Sequence, residues 1–77
     1  MITIEQAKKL TVGTILYMNN NKNADGTPTR WKVNGAVKTW KRDPARVKVP
    51  LKHGLYDYGY LTEDNLSIFE LTEEAAL

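Results

Sequence analysis

From Arg46 to Lys52 the side chains alternate, with Val47, Val49 and Leu51 pointing one way and Arg46, Lys48 and Lys52 the other. A period of two commits a segment to a β-strand with one face hidden and one face wet. Pro50 lies on the basic side of this strand. It has no N–H for a ladder, so a sheet edge or a bulge is expected there.

The same alternation runs through Thr29 to Arg42, "TRWKVNGAVKTWKR", around the pair Asn34-Gly35. Asn-Gly between alternating flanks is a hairpin signal, because a type I′ turn needs positive φ at both central residues. A two-residue loop sets Val33 opposite Ala36, Trp31 opposite Lys38 and Thr29 opposite Trp40. Opposed residues share a face. One face then holds Thr29, Trp31, Val33, Ala36, Lys38 and Trp40; the other holds Arg30, Lys32, Val37, Thr39 and Lys41. Both tryptophans fall on the inner face. Lys38 is the one charge among them, its methylenes expected to lie along Trp31.

The flanks fill in the remaining elements. Thr3-Ile4-Glu5-Gln6 fits a capping box, and Ile4, Ala7 and Leu10 share a face, which predicts a short helix over 3–10 ended before Gly13. Thr14 to Met18 reads as a first strand. Asn19 to Pro28, "NNNKNADGTP", reads as a long turn-rich loop, with Asp25-Gly26 as a turn rather than a cation site. Arg42-Asp43-Pro44-Ala45 reads as a turn with Pro at its second position. After His53-Gly54, Leu55 to Leu61 alternates as a fourth strand carrying Tyr56, Tyr58 and Tyr60. Thr62 to Asn65 is a capped turn that drops Leu66 into the core, Ser67 to Leu71 a short last strand, and 72–77 an acidic end.

The chain has 77 residues and no cysteine, so a single small domain over 1–77 must stand on its core without disulfides or thiolate zinc. No apolar run has membrane-spanning length, and Met1 to Glu5 lacks a secretory pattern. A cytoplasmic protein without cofactor or metal is expected. The only histidine, His53, sits beside a turn glycine, and the only serine is Ser67, so no catalytic group is expected.

Charge is segregated. Residues 30–53 hold eight Lys or Arg against Asp43 alone, while 54–77 hold six Asp or Glu and no Lys or Arg. Such blocks mark opposed basic and acidic patches or a self-complementary pairing of strands.

The order of elements resembles the SH3-like barrel superfold, over most of 12–71. The resemblance rests on Val12-Gly13-Thr14-Ile15 leading into the first strand, on Val33-Asn34-Gly35-Ala36, and on Leu61-Thr62-Glu63-Asp64-Asn65-Leu66 before the last strand. It implies a mainly β barrel of about five antiparallel strands over 14–71, with one helical turn before the last. The chain also looks like small proteins of bacteriophages and prophages, which implies the host cytoplasm. Leu55-Tyr56-Asp57-Tyr58 is similar to a motif of signalling SH3 domains that there sits on the first strand, not the fourth.

Two functions follow as expectations. One is a small non-catalytic protein-interaction module, such as a phage accessory or host-factor binder, with Tyr56, Tyr58, Tyr60 and Trp40 as anchors. Its opposed patches would also allow weak self-association. The other is a nucleic-acid-binding domain using Arg30, Lys32, Lys41, Arg46, Lys48 and Lys52 to track phosphates, with tyrosines at the border. A solvated lysine-rich face that blocks edge aggregation accounts for the same cations.

Overall fold

The computed structural model describes residues 1–77. Its elements are α1 (Ile4–Lys8), β1 (Ile15–Lys22), β2 (Pro28–Val33), β3 (Lys38–Trp40), β4 (Asp43–His53), β5 (Asp57–Thr62), a 3₁₀ turn (Leu66–Ile68), β6 (Phe69–Glu70) and α2 (Glu73–Ala76). All strand pairs are antiparallel. The sheet runs β3-β4-β2-β1-β6, with β5 on the other side of β4. The mainly β class, the short leading helix and the helical turn before the last strand are as the sequence predicts. The sheet does not close into a barrel, because β5 pairs only with β4 and β6 only with β1. No helix is long and apolar enough to cross a membrane.

Alternation builds the core. Val47, Val49 and Leu51 of β4 are buried and join Leu16, Val33, Leu61 and Phe69 in one cluster. Ile2, just ahead of α1, and Ala7 within it belong to the same cluster. That helix starts as its sequence dictates: the Gln6 amide donates to Thr3 Oγ1 at 3.1 Å, and the Thr3 amide donates to Gln6 Oε1 at 2.9 Å. It is shorter than the span expected, ending at Lys8.

The largest departure lies at Asn34-Gly35. No hairpin forms, and neither residue has positive φ. Both β2 and β3 pair with β4, with Val33 opposite Leu51 and Lys38 opposite Lys48. Four residues, Asn34 to Val37, thus lie opposite two, Val49 and Pro50. The segment is a wide bulge in one interrupted strand. The reason is Pro50. Its carbonyl accepts from the Asn34 amide at 3.1 Å, so its nitrogen, which has no hydrogen, faces the same edge. A regular ladder would leave a partner unpaired there, and the bulge removes that partner.

The bulge also keeps the phase of the alternation, which a hairpin would invert. Thr29 and Val33 are buried and Trp31 half-buried, as expected. Lys38 and Trp40 belong to the outer face, because Lys38 sits opposite Lys48. The charge that looked misplaced in the core was never there.

Other boundaries moved for simpler reasons. The two-residue turn is Lys41-Arg42, closed by Trp40 opposite Asp43, so Asp43 to Ala45 extend β4 instead of forming a turn. The long loop is shorter than expected, because β1 continues through the asparagines to Lys22, paired with Pro28. Its tip is the Asp25-Gly26 turn: Gly26 has φ +86, and Asp25 Oδ1 accepts from the Thr27 amide at 3.0 Å. Leu55 and Tyr56 fall in the turn before β5, and the last strand shrinks to Phe69–Glu70 because the 3₁₀ turn takes Leu66–Ile68. The acidic end forms α2, capped by Thr72, with Ala76 buried.

Where β5 stops at Thr62, a side chain takes over its role. Glu63 Oε1 accepts from the Val47 amide at 3.0 Å. That hydrogen bond holds the Glu63 carboxyl below the usual carboxylate range, helped by nearby Arg46. Glu70 is lowered in the same way by the N-terminal ammonium and by Asn19. A lowered folded pKa means stability that is present above the usual carboxylate range and lost as the pH falls toward the lowered value. Acid unfolding of Glu63→Gln should therefore show a shallower loss below the ordinary carboxylate range than the parent, measured by circular dichroism. An unchanged acid limb would mean the Val47 contact does not couple to folding.

Gly35 is fixed by the same proline. A Cβ built there would lie 2.9 Å from Pro50 Cγ, too close to tolerate. Gly35→Ala should destabilise by about 1–3 kcal/mol in urea unfolding. Pro50→Ala should relieve part of that loss, giving a coupling of about 0.5 kcal/mol or more in the double-mutant cycle.

Candidate nucleic-acid interface

The outer face of β4 collects six of the chain's eleven basic residues from three strands. Arg46, Lys48 and Lys52 are its own, with Pro50 among them. On one side lie Lys32, directly opposite Lys52, and Lys38, directly opposite Lys48. Arg30 lies two residues from Lys32 on the same face. On the other side Tyr58 stands opposite Lys52, Tyr60 opposite Pro50 and Thr62 opposite Lys48. None of these partners of Lys48, Pro50 and Lys52 is a carboxylate.

The cations are unpaired. The protein's one ion pair joins the N-terminal ammonium to Glu70, away from this face. Lys38, Arg46, Lys48 and Lys52 lie instead against aromatic rings. Arg46 Cζ is 4.1 Å from the Trp40 ring centroid and Lys48 Nζ is 4.2 Å from that of Tyr60. Lys38 Nζ lies 5.2 Å from Trp40, and Lys52 Nζ 5.5 Å from Tyr58. Each such contact stabilises by about 0.5–1 kcal/mol at an exposed site. Two directly opposed lysine pairs work against it, because like charges across a ladder repel.

Five of the six expected cations therefore cluster on this face, Arg46, Lys48 and Lys52 from β4 and Arg30 and Lys32 from β2, and the exception is Lys41. It sits in the β3–β4 turn beside Arg42, beyond the end of the face. Lys38 replaces it, a residue that the hairpin register had assigned to the core. Trp40 is half-buried beneath Arg46, on the outer side. Tyr58 and Tyr60 are 65% and 52% exposed and belong to the face. Tyr56 is exposed in the turn ahead of β5 and makes no ring contact with a cation.

The face has one depression. It has a volume of about 280 Å³ and is lined by Ile15, Arg30, Trp31, Lys32, Lys52 and Gly54. On the opposite side of the sheet a smaller hollow of about 190 Å³ lies between β5 and the last strand, lined mainly by apolar groups including Met18, Trp31 and Phe69. Trp31 there donates its indole N–H to Met18 Sδ at 3.1 Å.

His53 stands opposite Asp57 across the β4–β5 turn. Its Nδ1, however, lies 2.8 Å from the Arg30 carbonyl, and its ring packs 5.2 Å from that of Trp31. These contacts tie β4 to β2. No group of three or more His, Cys, Asp or Glu side chains converges to hold a metal ion. Compared with protein-family models, curated proteins and solved structures, the chain matches none.

The repulsion between opposed lysines has a measurable sign. Lys32→Gln removes the charge facing Lys52 without touching the core. It should raise stability by about 0.2–1 kcal/mol at low ionic strength. The gain should shrink in high salt, where exposed charges are screened. Urea titrations at the two salt concentrations test this, and a loss of stability would show that the face is not under electrostatic strain.

Proposed function

We propose that the outer face of β4 binds single-stranded nucleic acid without strong sequence preference. One observation carries the reading: unpaired cations and exposed aromatic rings interleave over four strands, with two lysine pairs held directly opposite each other. A surface with that built-in repulsion gains from an anionic ligand as well as from the new contacts. Phosphates pass along Arg30, Lys32, Lys38, Arg46, Lys48 and Lys52, while Tyr58 and Tyr60 offer ring faces for bases.

The lysine over each tyrosine suits this exchange. A phosphate draws the ammonium off the ring, and a base takes the vacated face. The cation–π contact given up is about 0.5–1 kcal/mol. Stacking a base returns about 1–3 kcal/mol. The exchange is therefore favourable even before the phosphate contact is counted.

The order of strands, with a 3₁₀ turn before the last, supports reading the sheet as an open relative of the SH3-like barrels. A phage origin remains a proposal resting on the general look of the chain. A protein-interaction role would need the tyrosines and Trp40 to anchor a partner. The rings of Trp40, Tyr58 and Tyr60 sit under cations, which favours an anionic ligand over an apolar one.

The test is fluorescence anisotropy with labelled single-stranded DNA and RNA at 50 and 200 mM salt. With about six phosphates neutralised, log affinity should fall against log salt with a slope near −4. Lys38→Gln with Lys48→Gln should flatten that slope by about 0.7 for each residue and weaken all sequences alike. Tyr60→Ala should lower affinity by about 1–3 kcal/mol with little change in slope. No binding at 50 mM salt would overturn the reading in favour of a protein partner or a solvated face.

A further inference from the structure

The cations of this face are not evenly spread. Arg30, Lys32 and Lys52 gather around the one depression, while Lys38, Arg46 and Lys48 lie farther along beside Trp40 and Tyr60. The depression lies at the Gly54 end, and its two apolar lining residues are Ile15 and Trp31. Its volume of about 280 Å³ is close to the lower end of ordinary small-ligand pockets, about 300 Å³.

Its charge is unusually concentrated. Lys32 and Lys52 are direct cross-strand neighbours, and Arg30 lies two residues from Lys32 on the same face. The Asp25 carboxyl is held below the usual carboxylate range first by hydrogen bonds from Thr27, with Arg30 a minor Coulombic contributor. It does not form an ion pair with Arg30. Beside the depression, Tyr58 stands directly opposite Lys52.

A phosphodiester inside a strand carries one negative charge, which one or two cations satisfy. A terminal phosphomonoester carries about −1.5 to −2 at pH 7 and three acceptor oxygens. Three cations lining one depression, one of them a forked guanidinium, match the second better than the first. We infer that the Arg30–Lys32–Lys52 depression is a site for the terminal phosphate of a nucleic-acid strand, with the adjoining base on Tyr58. The inference rests on the proposed binding of single strands and adds to it a preferred end.

The site is tested with three oligonucleotides of one sequence, bearing a 5′-phosphate, a 3′-phosphate or hydroxyls at both ends. At 50 mM salt one of the phosphorylated strands should bind about fivefold tighter than the hydroxyl strand. Arg30→Gln with Lys52→Gln should bring that ratio close to one, whatever it does to affinity overall. Lys38→Gln with Lys48→Gln should weaken all three strands and keep the ratio. If all three strands bind within about twofold of each other, the end-specific site is overturned while the general reading stands. If none binds, both fall. A ratio that survives Arg30→Gln with Lys52→Gln would place the phosphate elsewhere and overturn this site.

Discussion

Pro50 offers no N–H to the edge of β4 that faces β2 and β3, and two extra residues in the facing chain absorb the gap. The rest of the sheet is arranged around that accommodation. Asn34 donates to the Pro50 carbonyl, and Val33 is held on its other side by the Gly13 amide at 2.7 Å and the Thr14 carbonyl at 2.8 Å. β2 is thus pinned between β1 and β4 just before the chain departs from the ladder. Because β4 is eleven residues long, its N-terminal part still has room to pair with β3 after the interruption. One strand then serves three neighbours, which is how a short chain gathers residues from β2, β3 and β5 onto a single surface.

The two faces of β4 carry opposite energetic burdens. Burying Val47, Val49 and Leu51 stabilises by about 1.5–3 kcal/mol for each side chain. The repulsion between opposed lysines is smaller, a few tenths to about 1 kcal/mol for each pair. The core therefore tolerates the charged face with a wide margin. The wet side is free to be shaped by what it binds, since stability is decided on the dry side.

Much of this was legible in the sequence. Alternation alone separated Val47, Val49 and Leu51 from Arg46, Lys48 and Lys52, and the missing N–H of Pro50 pointed to a bulge. The capping box at Thr3 and the turn at Asp25-Gly26 were equally plain. The error at Asn34-Gly35 had a definite cause. Asn-Gly is a signal of local preference, and here a long-range constraint, the edge of β4 at Pro50, overrode it. The clue was present as well: the hairpin register placed one charge, Lys38, inside an apolar face. The gathering of Tyr58 and Tyr60 against Lys52 and Lys48 was out of reach, because it depends on which strands neighbour β4, and alternation is silent about neighbours.

The wide bulge has a further consequence for how this chain tolerates changes in length. Its surplus over the facing strand is even, so β3 resumes the alternation of β2 in phase. Losing or gaining a single residue between Asn34 and Val37 would exchange the two faces of everything up to the Lys41-Arg42 turn. Thr39 would turn outward, and Lys38 and Trp40 would be driven toward Val47 and Val49. Changes by two residues would preserve the pattern. The tip at Asn23 to Gly26 is under no such rule, since the turn there ends one strand and starts the next. Length at the bulge is therefore quantised in pairs, while length at the hairpin tip is not.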